Sequence, residues 1–246
     1  MARDVEFGLH LIADNPNLTF IAFVGLVLLS VIAARFGAYA YFNMRSTGVT
    51  AQRVLWEYLL YVGIIAALYG LVGILEIVSS IQTPYKTGLM LAVVLLLALS
   101  LREIYFNAAL STAAEDRSDG FRGRRVVEVL FVAVVAAVVF GIAVVGIARP
   151  LLALQGLGAL AFAGYGFWFG RQQTAQAMVQ GTMIDSLLRH LLPVMAFATL
   201  VPAVDLATVA GLDRVVIMHV QTVFVIMTAT ALMTATIKLR QNLASL

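Results

Sequence analysis

Cysteine is absent from this chain, which excludes disulfides, thiolate metal sites and thiol nucleophiles. Histidine occurs at only three positions, His10, His190 and His219. They fall at different depths of the apolar pattern, so they cannot converge on one metal ion or clamp a haem. Lysine is scarcer still, with Lys86 and Lys238 alone. Charged residues amount to 12% of the 246 positions, about half the share in an ordinary soluble domain. No glycine-rich phosphate loop and no nucleophile elbow is found. Met1 to Asn17 carries Arg3, Asp4, Glu6 and Asp14 without a long apolar core, so it is not patterned as a cleavable signal peptide.

Hydrophobic residues, by contrast, fill 62% of the chain. They fall into seven long runs, at 18–43, 54–80, 87–111, 126–148, 151–170, 182–210 and 215–237. Each reaches the roughly 20 residues that a helix needs to cross about 30 Å of hydrocarbon. The predicted fold is all-α, a polytopic seven-transmembrane helix bundle. Residues 1–17 form a short extracellular segment, 18–240 the transmembrane domain and 241–246 a cytoplasmic tail. Basic residues set the orientation. Arg45, Arg53, Arg117, Arg122, Arg124, Arg125, Arg171, Lys238 and Arg240 lie on one side, against Arg3, Lys86, Arg149 and Arg214 on the other. The N-terminus is therefore expected outside, the C-terminus in the cytoplasm and the protein in the plasma membrane. The mixed-charge connection 111–125, with two glycines, reads as a solvated hairpin able to meet a soluble or membrane partner. Nucleic acid is not an expected partner; the lipid bilayer and a second copy of the chain are.

Span four has no polar side chain between Val129 and Ala148, as suits a lipid-facing helix. The spans on either side of it match as two triplets. Glu57, Glu76 and Lys86 in the first correspond to Asp185, Asp205 and Arg214 in the second. This predicts a parallel 3+1+3 repeat. Ionisable residues inside spans are costly and point to function by default. Arg35, Glu57, Arg102, Glu103, Glu128, Asp185, Arg189 and His190 all fall between mid-membrane and the cytoplasmic interface. Two readings stand: arginines snorkelling to headgroups with acids paired to them, or one intramembrane charge cluster lining a cytoplasmic cavity. In span seven, His219, Thr222, Thr230 and Met233 recur at helical spacing as candidate ligand-lining residues. Pro193 and Pro202 each remove a backbone donor from span six and predict a kink or cavity there, with Pro193 as a further lining candidate. Gly63, Gly70 and Gly73, with Gly166 and Gly170, predict close helix packing.

The stretch from Gln221 to Met233, reading QTVFVIMTATALM, resembles the seventh helix of the microbial rhodopsins. The proline-bearing sixth span, the short outer loop, the basic C-terminal end and the helix count agree with that family. The resemblance implies a seven-helix bundle, and it places Met233 where the family carries its retinal-binding lysine, with Ala229 where an aspartate is expected. No lysine lies in mid-membrane, and Leu89 to Leu101 holds no acidic counter-ion. No cofactor is therefore expected, and in particular no covalent retinal. The functional expectation is a retinal-free, rhodopsin-like sensor or membrane partner subunit without catalysis; the alternative is a small-solute or ion transporter or channel using the cytoplasmic-side charges.

Overall fold

The computed structural model describes residues 6–46, 50–109, 120–174 and 183–244. Helices are α1 (Pro16–Ser46), α2 (Thr50–Val78), α3 (Lys86–Ala109), α4 (Gly120–Val145), α5 (Arg149–Thr174), α6 (Met183–Ala203), a short α7 (Asp205–Val209) and α8 (Arg214–Ala244). Among the described residues, seven helical segments are long and apolar enough to cross a membrane, the sixth running through α6 and α7. The end at which α1 begins is the near end of the bundle, and the opposite one the far end.

Local chemistry sets the helix limits. Asn15 caps α1 by accepting the Leu18 N–H at 3.0 Å, and Pro16 occupies the first helical position, where a missing N–H costs nothing. Gly146, with φ of 80°, ends α4 and donates to the Ile142 carbonyl at 3.0 Å. Gly211, with φ of 93°, closes α7 in a Schellman turn: its N–H reaches Thr208 O, and the Leu212 N–H reaches Ala207 O. Asp213 then starts α8 by accepting the Val215 N–H at 2.7 Å.

Each spanning helix packs on the next, and α8 closes on α1, so chain order is ring order. Innermost is α3, which touches α5 and α6 as well as its neighbours. It is the most buried span and α4 the least, in keeping with α4's unbroken hydrocarbon sequence. Lipid offers no hydrophobic drive between helices, so close backbone packing must supply the attraction. Where α1 crosses α2, a Cβ on Gly63 would stand 2.5 Å from Gly37 Cα. Only glycine fits there. On the far side of α3, a Cβ on Gly166 would meet Ala98 Cα at 2.9 Å.

One expectation holds and two need correction. The kink expected in the apolar run 182–210 is present, as a break at Val204 between α6 and α7. Pro202, lacking an N–H, deprives the Ala198 carbonyl of its partner just before the break. Pro193 lies within continuous helix and is exposed. The predicted hairpin at 111–125 is also shorter than expected, since α4 begins at Gly120. Arginine is a good helix former, and the run of arginines extends the helix beyond its apolar span. Residues 111–119 lie outside the described residues.

Candidate functional site

At the near end, the break after α6 brings Asp205 into the bundle, where it is buried. Its carboxylate accepts two amide hydrogen bonds: Gln155 Nε2 on α5 donates at 2.8 Å, and Gln221 Nε2 on α8 donates at 2.8 Å. Gln221 Nε2 also reaches the Val201 carbonyl at 3.0 Å. A carboxylate only accepts, so both amides must turn their NH₂ groups towards it. That leaves Gln155 Oε1 buried without a hydrogen-bond partner, on a side chain only 1% exposed. An unmet acceptor of this kind costs about 1–3 kcal/mol.

Beside these groups lies a cavity of about 130 Å³ lined by Gln155, Asp205, Gln221, Tyr69, Met90 and Thr222. Ile12 and Pro202 also border it. A neighbouring cleft of about 260 Å³ shares Lys86, Asp205 and Gln221 and adds Glu76, Thr83 and Arg214. Lys86 is ion-paired with Glu76, which also accepts the hydroxyl and the N–H of Thr83. Arg214 is exposed and forms no ion pair with a described residue. The N-terminal segment straps this end: the Gly8 N–H donates to Val78 O at 3.1 Å, the His10 N–H to Ile77 O at 2.8 Å, and the Ile12 N–H to Thr19 Oγ1 at 2.8 Å.

The eight ionisable residues grouped from the sequence do not form one cluster. Arg102, 1% exposed, pairs with Glu128 on α4 and lies 3.6 Å from Glu103. The Tyr165 phenol on α5 acts electrostatically on the same guanidinium. Glu57 pairs instead with Arg53 on its own helix at 3.1 Å, on a surface where both are well exposed. Asp185 is buried and pairs with Arg189 one turn on, also at 3.1 Å. His190 Nδ1 faces the Ser186 carbonyl of its own helix at 2.6 Å. Arg35 is exposed and makes no ion pair with a described residue. The physical reason is helical phase: Arg35, Glu57 and Arg189 share a depth with Arg102 but point away from it. Of the two readings, exposed Arg35 and Arg189 follow the snorkelling one.

The α8 stripe is likewise split. Thr222 lines the cavity, whereas His219 and Thr230 are exposed. Met233 is 46% exposed, and the inward face is Val225, Thr228, Ala229, Leu232 and Ala235. The rhodopsin-type attachment position therefore does not look into the bundle. Lys86 is engaged with Glu76 at the near end and Lys238 lies close to the end of α8. The residues present do not fit a retinal Schiff base.

An apolar layer separates the near-end site from Arg102. Arg102 follows Met90 by 12 positions along α3, or about 18 Å at 1.5 Å per residue. Its buried side chains there include Leu91, Val94, Leu97, Ala98 and Leu101. Ser100 donates to its own Leu96 carbonyl at 2.8 Å, and Thr199, Thr228 and Thr236 do likewise on their helices. These hydroxyls serve their own backbones rather than a path.

Sequence reasoning passed over two buried amides and a half-buried one. Gln155 and Gln221 carry no charge, and attention to ionisable groups hid them. Asn43, 0% exposed at the far end, donates to Tyr39 O at 2.8 Å and Leu239 O at 3.1 Å, tying α1 to α8. The available signal was an amide within a hydrocarbon run, which needs a partner for the same reason a charge does. No family model, curated protein or solved structure matches this chain.

Proposed function

We propose that this chain is a non-catalytic, retinal-free sensor or membrane partner subunit, whose ligand binds at the near end of the bundle. The observation that carries the reading is the one-sided placement of the polar cavity. Asp205, Gln155 and Gln221 converge there on a space of about 130 Å³, and about 18 Å of apolar α3 packing lies between it and Arg102. A conduit needs polar groups along its length; a receptor needs them at one end only. The basic loops orient the near end outward and the far end to the cytoplasm, in the cell membrane. The ring order of the helices supports a rhodopsin-like arrangement, and the matched triplets support a 3+1+3 repeat. Occupancy of the cavity would pass to the far end through α6 and α8, both of which line it and pack together. A partner would meet that end near residues 111–125, and self-association within the bilayer belongs to the same proposal.

The test is a thermal-unfolding screen of the purified protein against small polar solutes, with proteoliposome uptake measured for every hit. Stabilisation without uptake supports a sensor. Ligand-dependent uptake would replace it with a transporter.

A further inference from the structure

The near-end site presents its polar groups in a definite order. Deep in the bundle are acceptors: the Asp205 carboxylate, already holding two amide donors, and Gln155 Oε1, which has none. Further out, in the cleft that shares Asp205, is the exposed guanidinium of Arg214. Lys86 is ion-paired with Glu76, whereas Arg214 makes no ion-pair contact with a described residue and acts on Asp205 only at longer range.

Each simple ligand class leaves one of these groups unmet. An anion would bring negative charge towards Asp205 and offer nothing to Gln155 Oε1. A bare cation would satisfy both acceptors but would pass Arg214 at a repulsive distance and leave it unpaired. A molecule with an N–H-bearing cation at one end and a carboxylate at the other meets all three. Resting on the receptor reading, we propose that the site binds a small zwitterion, a primary amino acid of a few carbons. Its ammonium would donate to Gln155 Oε1 and Asp205, and its carboxylate would face Arg214. A cavity of about 130 Å³ that shares Asp205 and Gln221 with a cleft of about 260 Å³ has room for several waters or one such molecule. The N–H requirement is specific. Glycine betaine has the same charges but no ammonium hydrogen, and it leaves Gln155 Oε1 unsatisfied.

The full chain is reconstituted in nanodiscs and titrated calorimetrically with β-alanine, 4-aminobutyrate, glycine betaine, propylammonium and propionate. The expected result is heat from β-alanine or 4-aminobutyrate and none at equal concentration from the other three. Arg214→Gln changes an exposed side chain and leaves the fold intact. It should weaken zwitterion binding by on the order of tenfold, the value of one charge-assisted hydrogen bond, and should bring propylammonium level with the zwitterions. Equal binding of propylammonium and β-alanine by the native chain, unchanged in Arg214→Gln, would show a cation site and overturn the proposal. Binding of betaine as tight as that of β-alanine would remove Gln155 Oε1 from recognition and overturn it too, as would silence from both primary amino acids. Uptake into liposomes is a separate readout: it bears on receptor against transporter, whichever ligand class binds.

Discussion

Arg102→Met tests whether the guanidinium at the far end is buried or reaches the headgroups. Arg102 is 1% exposed; its partners Glu103 and Glu128 are 10% and 28% exposed at the side chain. Removing the cation takes from Glu103 and Glu128 the guanidinium that both face. Breaking a buried pair from one side costs up to about 3–5 kcal/mol. Glu128→Gln should cost less, since Glu103, 3.6 Å away, still faces the guanidinium. The triple variant Arg102→Met, Glu103→Gln, Glu128→Gln should recover most of the loss, since no uncompensated charge remains. A reference pair is built into the protein: Arg53 and Glu57 meet at 3.1 Å with side chains 67% and 41% exposed. Their coupling should be roughly 0.3–0.5 kcal/mol.

The assay is reversible unfolding in mixed micelles under increasing denaturing detergent, with double-mutant cycles at both pairs. The reasoning requires a coupling at Arg102–Glu128 several times that at Arg53–Glu57. If Arg102→Met unfolds within about 0.5 kcal/mol of Arg53→Met, Arg102 is snorkelling to the interface, and the buried triad is refuted.

Three further outcomes are expected. Gly63→Val should destabilise by about 3 kcal/mol, the upper end of overpacking costs, because its Cβ would meet the Gly37 backbone at 2.5 Å; Gly164→Ala, inside α5 with nothing within 4 Å of an added Cβ, should stabilise by up to about 1 kcal/mol in the same unfolding assay. Gly211→Ala should cost about 1 kcal/mol through its φ of 93°, measured as an earlier unfolding midpoint. Met233→Lys incubated with all-trans retinal should give no visible band that survives washing, since position 233 is 46% exposed on the outer face of α8; a stable band would show that α8 is rotated from the phase described.

The helices were legible because the bilayer imposes a length, and that length is written directly as runs of apolar residues. The break inside the sixth run was half legible. Pro193 and Pro202 carry the same covalent defect, yet Pro193 sits within continuous helix while the chain turns just beyond Pro202. The difference lies in the residues C-terminal to each proline: Asp205 finds Gln155 and Gln221 only if the helix ends there, and tertiary hydrogen bonding decides between two equal propensities. The charge cluster was misjudged for a related reason. Depth can be counted along a sequence, but phase around a bundle depends on which neighbour each helix packs against, and Arg35 and Arg102 differ only in phase.

The proposed 3+1+3 repeat has a geometric consequence. Glu76 and Asp205 close their spans, and Lys86 and Arg214 open the next. In such a repeat one span separates the triplets, so corresponding helix ends would emerge at the same end of the bundle. All four residues in fact line the single 260 Å³ cleft. Similar sequence there does not mean similar state. Glu76 is held by Lys86 and Thr83, whereas Asp205 is held by two neutral amides and feels Arg214 only at longer range, without an ion-pair contact. One half of the pattern is closed by a direct ion pair and the other is not. If the halves were interchangeable, moving the lysine pairing across should be harmless. Gln221→Lys tests this: it would put an ammonium beside Asp205, complete the second pair and fill the donor role assigned to a ligand. The variant should unfold later than the native chain, by up to the 1.5–3 kcal/mol or so of a charged hydrogen bond, and should no longer respond to β-alanine. A variant that keeps a native response would show that Asp205 is not where the ligand binds.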